Sequence, residues 1–208
     1  MRLLGQKTVA DVLKKVGPEV ENRLKPYFQK TKSDFPPKEI TLLVFKDEKI
    51  LELWIKGNDK WDYIRSYPVL AASGKAGPKL KEGDLQVPEG IYNIIGLNPN
   101  GYFYLTMLLD YPNLFDKKNA SVENRTNLGG DICIHGKAAS IGCIAIGDVA
   151  VEEVFVLVAR TGLKNTKVII APNDLRVKPP IDAGQLKVPW VQELYDSIKE
   201  ELNRYPKV

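Results

Sequence analysis

The spacing of apolar residues predicts helices at both ends of the chain. Over residues 8 to about 29, valine, leucine and aromatic residues recur at three- and four-residue steps, the period of an amphipathic helix. We expect Gly17-Pro18 to split this helix, because proline suits the first turn of a helix and disrupts its interior. A last helix is predicted to start near Pro189-Trp190, with one apolar side. That side consists of Val191, Leu194, Ile198 and Leu202.

Between these helices, short apolar runs separated by turn residues predict strands. Residues 40–57 carry two apolar runs around the polar turn Lys46-Asp47-Glu48-Lys49, the pattern of a β-hairpin. A helix is expected over 149–160, with Asp148 as its N-cap and Gly162 at its end. Further strands are predicted at 67–73, 90–96, 103–109, 131–136 and 167–171. This pattern favours an α+β fold, mainly β, built as a sandwich or an open barrel.

Composition narrows the class of protein. The chain has 208 residues, 44% hydrophobic and 27% charged, which suits one globular domain. Its net charge is +4 with the basic residues scattered, so we expect no nucleic-acid partner. No stretch approaches the ~18 apolar residues of a membrane span, and residues 1–15 lack the apolar core of a secretory signal. Either the protein stays in the cytoplasm, or a leader has been removed and Met1 is an artificial start.

The chain's single histidine lies between its two cysteines. In a strand over 131–136, Cys133 and His135 point to the same face because side chains alternate. Residues 137–142 then form a loop that can bring Cys143 back beside His135. An imidazole next to a thiol can take its proton, which makes the sulfur an acyl-transfer nucleophile.

The loop itself suits this chemistry. Because Gly142 has no side chain, a substrate carbonyl can approach the backbone amides around Cys143, where an oxyanion would be stabilised. Ser140 also lines the loop, and the carbonyl of Gly136 or Lys137 can orient the imidazole. Three other interpretations stay open on the residues alone: a packed strand histidine, a zinc site, and a small-loop disulfide between the two cysteines.

A resemblance separates these interpretations. The segment ICIHGKAASIGCIAIGD at 132–148 resembles the active-site signature of the L,D-transpeptidase catalytic domain family (YkuD-type). In that signature a histidine-glycine pair precedes a serine or threonine, a variable residue and a glycine-cysteine pair. Residues 77–94 are similar to the family's entry hairpin, and LLDYPNLFD at 108–116 is similar to its YafK-like branch. Ile141 and Ala145 stand where the commoner branch has a histidine and an arginine or asparagine.

The resemblance implies an L,D-transpeptidase-like β-sandwich or open barrel with an N-terminal helical segment and flanking C-terminal helices. We expect the N-terminal helical segment at 1–37, the catalytic domain at 38–172, and a linker with a C-terminal helix that packs on that domain at 173–208. It also implies an exported protein of the periplasm or cell envelope, with no cofactor and no metal.

The implied activity is that of a peptidoglycan-modifying cysteine acyltransferase. Its nucleophile would be Cys143, forming a thioester with the diamino acid of a stem peptide, and its general acid/base would be His135. An amine acceptor makes it a transpeptidase. Water as the acceptor makes it a hydrolase, which trims a stem or releases a wall-anchored lipoprotein. A non-catalytic wall-binding protein is the further alternative.

Several other residues receive expectations from the sequence. Arg125 is a candidate substrate-binding residue, because its guanidinium can hold a stem carboxylate. Tyr104 and Lys79 are further candidates for substrate binding. We expect Cys133 to be a buried small residue of the pocket wall and Glu89 to be structural in a turn.

Overall fold

The structure, a computed structural model, describes residues 6–57, 60–181 and 187–208. The start of the predicted N-terminal segment, including Met1, and positions 182–186 of the predicted linker lie outside the described residues. The helices are α1 (Val9–Thr31), α2 (Leu114–Val122), α3 (Asp148–Thr161) and α4 (Val191–Leu202), with a 3₁₀ turn at Leu163–Asn165. The strands are β1 (Ile40–Phe45), β2 (Ile50–Lys56), β3 (Trp61–Pro68), β4 (Ala71–Ala72), β5 (Gly90–Gly101), β6 (Tyr104–Leu109), β7 (Cys133–His135), β8 (Ile144–Ala145) and β9 (Thr166–Ala171). The fold is α+β and mainly β, as predicted.

The described strands form one curled sheet. Their order is β3-β2-β1-β9-β5-β6-β7-β8-β4, so β3 and β4 occupy opposite edges. Only Val69 and Leu70 separate these two edge strands along the chain. Two residues span less than about 10 Å, so the edges must approach each other, and the sheet closes toward an open barrel.

Both faces of the sheet are covered, which explains why β1 is buried along its whole length. Side chains alternate across the strand. Leu42 and Val44 of β1 pack into one core with residues of α1 and α3. Leu43 and Phe45 pack on the opposite side, in a second core with residues of α4. The predicted hairpin of β1 and β2 is confirmed, with each residue from Ile40 to Phe45 paired to its partner in β2.

The predicted split of the first helix is wrong, because α1 runs unbroken through Pro18 and Pro26. An interior proline costs a helix about 3 kcal/mol. Here the helix buries a continuous apolar side against the first core, which outweighs that cost. That side consists of Val12, Val16, Val20, Leu24 and Phe28.

Other strands and helices also differ from the predicted ones. The strand expected over 67–73 is interrupted at Val69-Leu70, where the chain passes from one sheet edge to the other. Strand β5 extends to Gly101, beyond the predicted 90–96, with register shifts near Gly96 and Asn98. Helix α2 was not predicted, because its buried residues are mostly polar and leave no apolar period. Within the described ranges, no helix combines the length and apolarity needed to cross a membrane.

The structural role predicted for Glu89 is confirmed. The residue is 1% exposed, and its carboxylate accepts hydrogen bonds from Lys46 Nζ at 2.9 Å and from the Gly77 amide at 2.8 Å. It also accepts from the Tyr195 hydroxyl of α4 at 2.8 Å. One carboxylate therefore ties the β1–β2 turn and α4 to the segment that begins at Gly77.

Candidate active site

Strand β7 positions the histidine at the floor of a cleft. Antiparallel pairing with β6 sets His135 opposite Thr106, and pairing with β8 sets it beside Ala145. Ile134, which lies between Cys133 and His135 in β7, is fully buried in the core. Cys133 and His135 both line the cleft on the other face, as the alternation of the strand predicts.

The loop after β7 returns Cys143 to the same cleft. Strand β8 runs parallel to β7 with Ile134 paired to Ile144, so the loop is a crossover and not a hairpin turn. Continuing this register by one residue places Cys143 directly beside Cys133. Both sulfurs lie near one backbone oxygen, that of Asp131, at 3.4 Å from Cys133 Sγ and 3.7 Å from Cys143 Sγ.

The imidazole of His135 is held in one tautomer and one orientation. Nδ1 lies 2.6 Å from the Gly136 carbonyl oxygen, which only accepts, so Nδ1 carries a proton and donates it. The ring stacks on Phe103, with centroids 4.7 Å apart and planes at 21°. The other nitrogen, Nε2, is buried and has no hydrogen-bond partner in the part of the chain that the structure describes. The lone pair of a neutral ring is therefore on Nε2.

The Cys143 thiol is a free, half-buried group in an environment that favours its ionised form. Its pKa falls from 9.0 to about 5, with a hydrogen bond from the Cys133 thiol as the largest cause and the His135 side chain a further cause, although burial opposes both. The sulfur therefore carries much thiolate at neutral pH, the form that acts as a nucleophile. Because Nε2 has no hydrogen-bond partner among the described residues, we take the imidazole to act on the thiol across a longer contact.

Cys133 lines the pocket wall, as expected, but the expectation that it is buried there is wrong. It is half-buried, its thiol is free, and it faces the cleft with Cys143. Burial and the neighbouring Cys143 raise the pKa of Cys133, with the hydrogen bond to Cys143 as the largest cause. The sequence left a disulfide between the two cysteines open, but both thiols are free. The parallel register that sets them side by side cannot be read from their spacing.

Ser140 braces the loop that carries Cys143. Its hydroxyl donates to the Cys143 carbonyl at 2.6 Å and accepts from the Gly142 amide at 3.3 Å. The Ser73 amide also donates to it, at 3.2 Å. Gly142 has φ +129°, a conformation that a side chain strains, so glycine is required there.

The base of the loop is held by an ion pair and not by the predicted helix cap. Asp148 was expected to cap α3, but Gly147 occupies the N-cap position without a side-chain bond. The Asp148 carboxylate accepts instead from the Lys137 amide at 2.9 Å and from Lys137 Nζ at 2.5 Å. Since Lys137 directly follows Gly136, this contact fixes the peptide that orients His135.

The cleft has a volume of about 530 Å³ and is open to solvent. Tyr102, Leu85 and Ile141 are exposed at its edge, Tyr102 by 94%. Lys79 and Glu82 line it from the segment 78–87. Among the described residues, no group of three His, Cys, Asp or Glu side chains is arranged to hold a metal ion.

The three candidate substrate-binding residues occupy different places. Lys79 lines the cleft, but its Nζ is bonded to Asp84 at 2.5 Å. Arg125 lies in a neighbouring depression, where it binds Glu123 at 2.7 Å and the Leu80 carbonyl at 2.8 Å. Tyr104 donates to Glu152 of α3 at 2.9 Å, and its pKa is raised to about 12 by burial first and by that carboxylate next. Only Lys79 of the three is brought to the cleft that holds the thiol.

A family model described as the L,D-transpeptidase catalytic domain matches residues 39–170, which are 132 of the 208 residues. The chain belongs to this family. The matched range begins just before β1 and ends one residue before the end of β9, so it contains every strand that builds the cleft.

Curated relatives agree with this assignment. The protein named "Putative L,D-transpeptidase YafK" from Escherichia coli K12 is 29% identical over 132 residues. The match covers 62% of this chain and 51% of that relative, so the chain spans about half the length of the curated relative. The protein of the same name from Escherichia coli O157:H7 matches equally.

Solved structures share the fold. The helical cell shape determining protein Pgp2 from Campylobacter jejuni superimposes with a TM-score of 0.52 at 23% identity, covering 72% of this chain and 56% of that chain. A point mutant of Pgp2 gives a TM-score of 0.54 at 21% identity, covering 80% of this chain and 55% of that one. At these identities the likeness concerns the fold alone.

Proposed function

We propose that this L,D-transpeptidase-family domain is a cysteine acyltransferase acting on the stem peptides of peptidoglycan, with Cys143 as nucleophile and His135 as general acid/base. The observation that carries the proposal is the low pKa of the Cys143 thiol beside an imidazole of fixed tautomer. Perturbed groups of this kind gather at catalytic sites. The substrate class is that of the family to which the chain belongs. Because peptidoglycan lies outside the cytoplasmic membrane, we propose the periplasm or cell envelope as the location.

In the proposed reaction, the Cys143 thiolate attacks the carbonyl carbon of the stem diamino acid. The carbonyl oxygen becomes an oxyanion, and the Cys143 amide, which makes no hydrogen bond among the described residues, is a donor available to it. Collapse of this intermediate breaks the C–N bond. The thiol proton that His135 Nε2 took when Cys143 ionised passes to the departing amine, which leaves the imidazole neutral and a thioester on Cys143.

The acceptor decides the final product. An amine of another stem gives a cross-link, and the lysine of an anchored lipoprotein gives an attached protein. Water gives hydrolysis, either trimming a stem or releasing such a lipoprotein. Because the cleft is open, water reaches a thioester on Cys143 freely. Hydrolysis is therefore the alternative reaction.

A non-catalytic wall-binding role fits the site less well. A binding protein gains nothing from an ionised thiol or from a buried, unpartnered imidazole nitrogen. An unsatisfied buried polar atom costs about 1–3 kcal/mol, so its presence argues for use in a reaction.

The test is digestion of purified peptidoglycan and identification of the products by mass. The wild-type chain is expected to give new cross-linked dimers or shortened stems, and the Cys143→Ala variant neither, because the thioester cannot form. Ser121→Ala serves as a matched control, since Ser121 is exposed on α2. Activity retained by Cys143→Ala would refute the proposed nucleophile. Dimers identify a transpeptidase, and shortened stems or released lipoprotein identify the hydrolase.

A further inference from the structure

Two thiols, and not one, face the floor of the cleft. Cys133 lies on β7, and Cys143 lies at the position beside it, one residue before β8. In a parallel pair of strands, side chains at neighbouring positions project to the same face. Both thiols contact the Asp131 carbonyl, which accepts from each of them in the neutral state.

This shared carbonyl cannot hold both sulfurs once Cys143 ionises. A thiolate has no proton to donate to the Asp131 oxygen, and it becomes a hydrogen-bond acceptor. The S–H of Cys133 is then adjacent to two acceptors, the carbonyl and the thiolate. A charged acceptor makes the stronger hydrogen bond, so the proton of Cys133 turns toward Cys143.

We propose that Cys133 is a positioning residue, which keeps Cys143 ionised and in place by donating its S–H to the thiolate. The proposal rests on the proposed function, in which Cys143 is the nucleophile. In this proposal Cys143 is the nucleophile and Cys133 is a hydrogen-bond donor, although both residues are cysteines. The pKa values of the two groups move apart accordingly, Cys143 downward and Cys133 upward, with the hydrogen bond between them as the largest cause for each.

Other charged groups face the pair from the surrounding elements. His135 of β7 acts on Cys143 from the strand that also carries Cys133, and the Asp131 carboxylate raises the pKa of Cys133 from the segment before β7. Lys79 and Glu82 face the cleft from the segment 78–87. Substitution of Cys133 leaves all of these groups in place, so it isolates the contribution of the thiol.

The test is the pH dependence of alkylation at Cys143, measured on the full chain with iodoacetamide and read by peptide mass. Cys133→Ala removes the donor, and Cys133→Ser replaces it with a hydroxyl donor of similar size. The Ala variant is expected to raise the midpoint toward the ordinary ~8.5 of a cysteine, with a loss of about tenfold in alkylation rate at pH 6 for each unit by which the midpoint rises above 6. The Ser variant is expected to recover part of the shift.

Either of two results would overturn the proposal. One is a midpoint in Cys133→Ala equal to that of the wild type. The other is a midpoint in Cys133→Ser equal to that of Cys133→Ala while circular dichroism shows both variants folded, since packing and not donation would then be responsible. All samples are reduced first, and intact mass verifies that the two thiols are free.

The alkylation profile separates this proposal from the proposed function, because it needs no turnover. If the midpoint rises in Cys133→Ala but Cys143→Ala still processes peptidoglycan, the thiol pairing stands and the nucleophile assignment fails. If Cys143→Ala is inactive and the midpoint does not move, the nucleophile stands and the pairing fails.

Discussion

At the scale of the residue, the surroundings of one sulfur, that of Cys143, favour its ionised form. The Gly136 carbonyl fixes which nitrogen of His135 is protonated, and the Phe103 ring fixes the plane of the imidazole. Cys133 and His135 then act on the same sulfur from one strand. The pKa of Cys143 is therefore lowered by two side chains of the three-residue strand β7, and not by a distant charged group.

The lowered pKa of Cys143 predicts the acid limb of the pH–rate profile. Because the pKa is depressed from 9.0 to about 5, the thiolate is present above about pH 5 and is lost as the pH falls through that value. We expect kcat/KM for a soluble tetrapeptide muropeptide to fall with decreasing pH, with a midpoint near 5. A profile measured at constant ionic strength checks this. A limb between about 8 and 9, as for an unpartnered cysteine, would contradict the assigned environment.

The residues proposed to react were open to prediction from the sequence, but their neighbours were not. The spacing of Cys143 and His135 and the family signature around them point to a thiol-imidazole pair. The carbonyl of Gly136 or Lys137 was expected as its orienting group, and the structure has that of Gly136. The stacking of Phe103 depends on how β6 and the residues before it lie against β7, which no local pattern encodes. Arg125, a candidate carboxylate ligand from the sequence, binds Glu123 and the Leu80 carbonyl in the structure.

At the scale of the element, hydrogen bonds of polar side chains can start a helix where the apolar periodicity predicts none. Helix α2 begins with a capping box, in which the Asn113 side chain accepts from the Asp116 amide at 3.1 Å and Asp116 accepts from the Asn113 amide at 3.0 Å. Asn113 also donates to the Ile91 carbonyl of β5 at 3.0 Å. The Asn-x-x-Asp spacing was visible in the sequence, but without an apolar stripe it gave no helix prediction. Conversely, the visible Pro18 did not break α1, because burial outweighed propensity.

We predict that Asn113→Ala lowers the free energy of unfolding by about 0.5–2 kcal/mol, the usual cost of losing an N-cap. The substitution removes both the N-cap hydrogen bond of α2 and the hydrogen bond to the Ile91 carbonyl of β5. Asn203→Ala is the matched control, because Asn203 is exposed and follows α4. Urea unfolding followed by circular dichroism measures both variants. Equal stability of the two would mean that the cap contributes nothing.

At the scale of the whole molecule, closure of the sheet brings distant parts of the chain to the cleft. The cleft draws residues from β5 and β6, from the segment 78–87 and from the loop after β7. Sequence alone predicted most of these strands, but not their order, because β1 pairs with β9 across more than half of the chain. The division into a helical segment at 1–37, a catalytic domain at 38–172 and a C-terminal part at 173–208 stays a prediction.

The Glu89 cluster holds these distant parts together. Its carboxylate pairs with Lys46, and the two side chains are only 0% and 7% exposed. Burial lowers the pKa of Lys46, whereas Glu89 opposes that shift by favouring the charged ammonium. Each group therefore depends on the other, since neither charge is well solvated by water. By contrast, the ion pair of Lys118 with Glu193 of α4 lies on the surface: the two side chains are 3.7 Å apart and 67% and 60% exposed.

Removal of one partner is expected to lower the free energy of unfolding much more in the buried ion pair than in the exposed one. Glu89→Ala leaves Lys46 buried without its counter-charge, so we expect a loss of about 3–5 kcal/mol in the free energy of unfolding. Lys118→Ala removes an exposed partner and is expected to cost no more than about 1 kcal/mol. Thermal and urea unfolding compare them. If Glu89→Ala does not fold, the double variant Lys46→Met with Glu89→Gln is expected to fold, because it removes both charges and keeps an acceptor for the Gly77 amide. A cost for Glu89→Ala no greater than that for Lys118→Ala would show that the buried pair does not tie α4 and the cleft segment to the sheet.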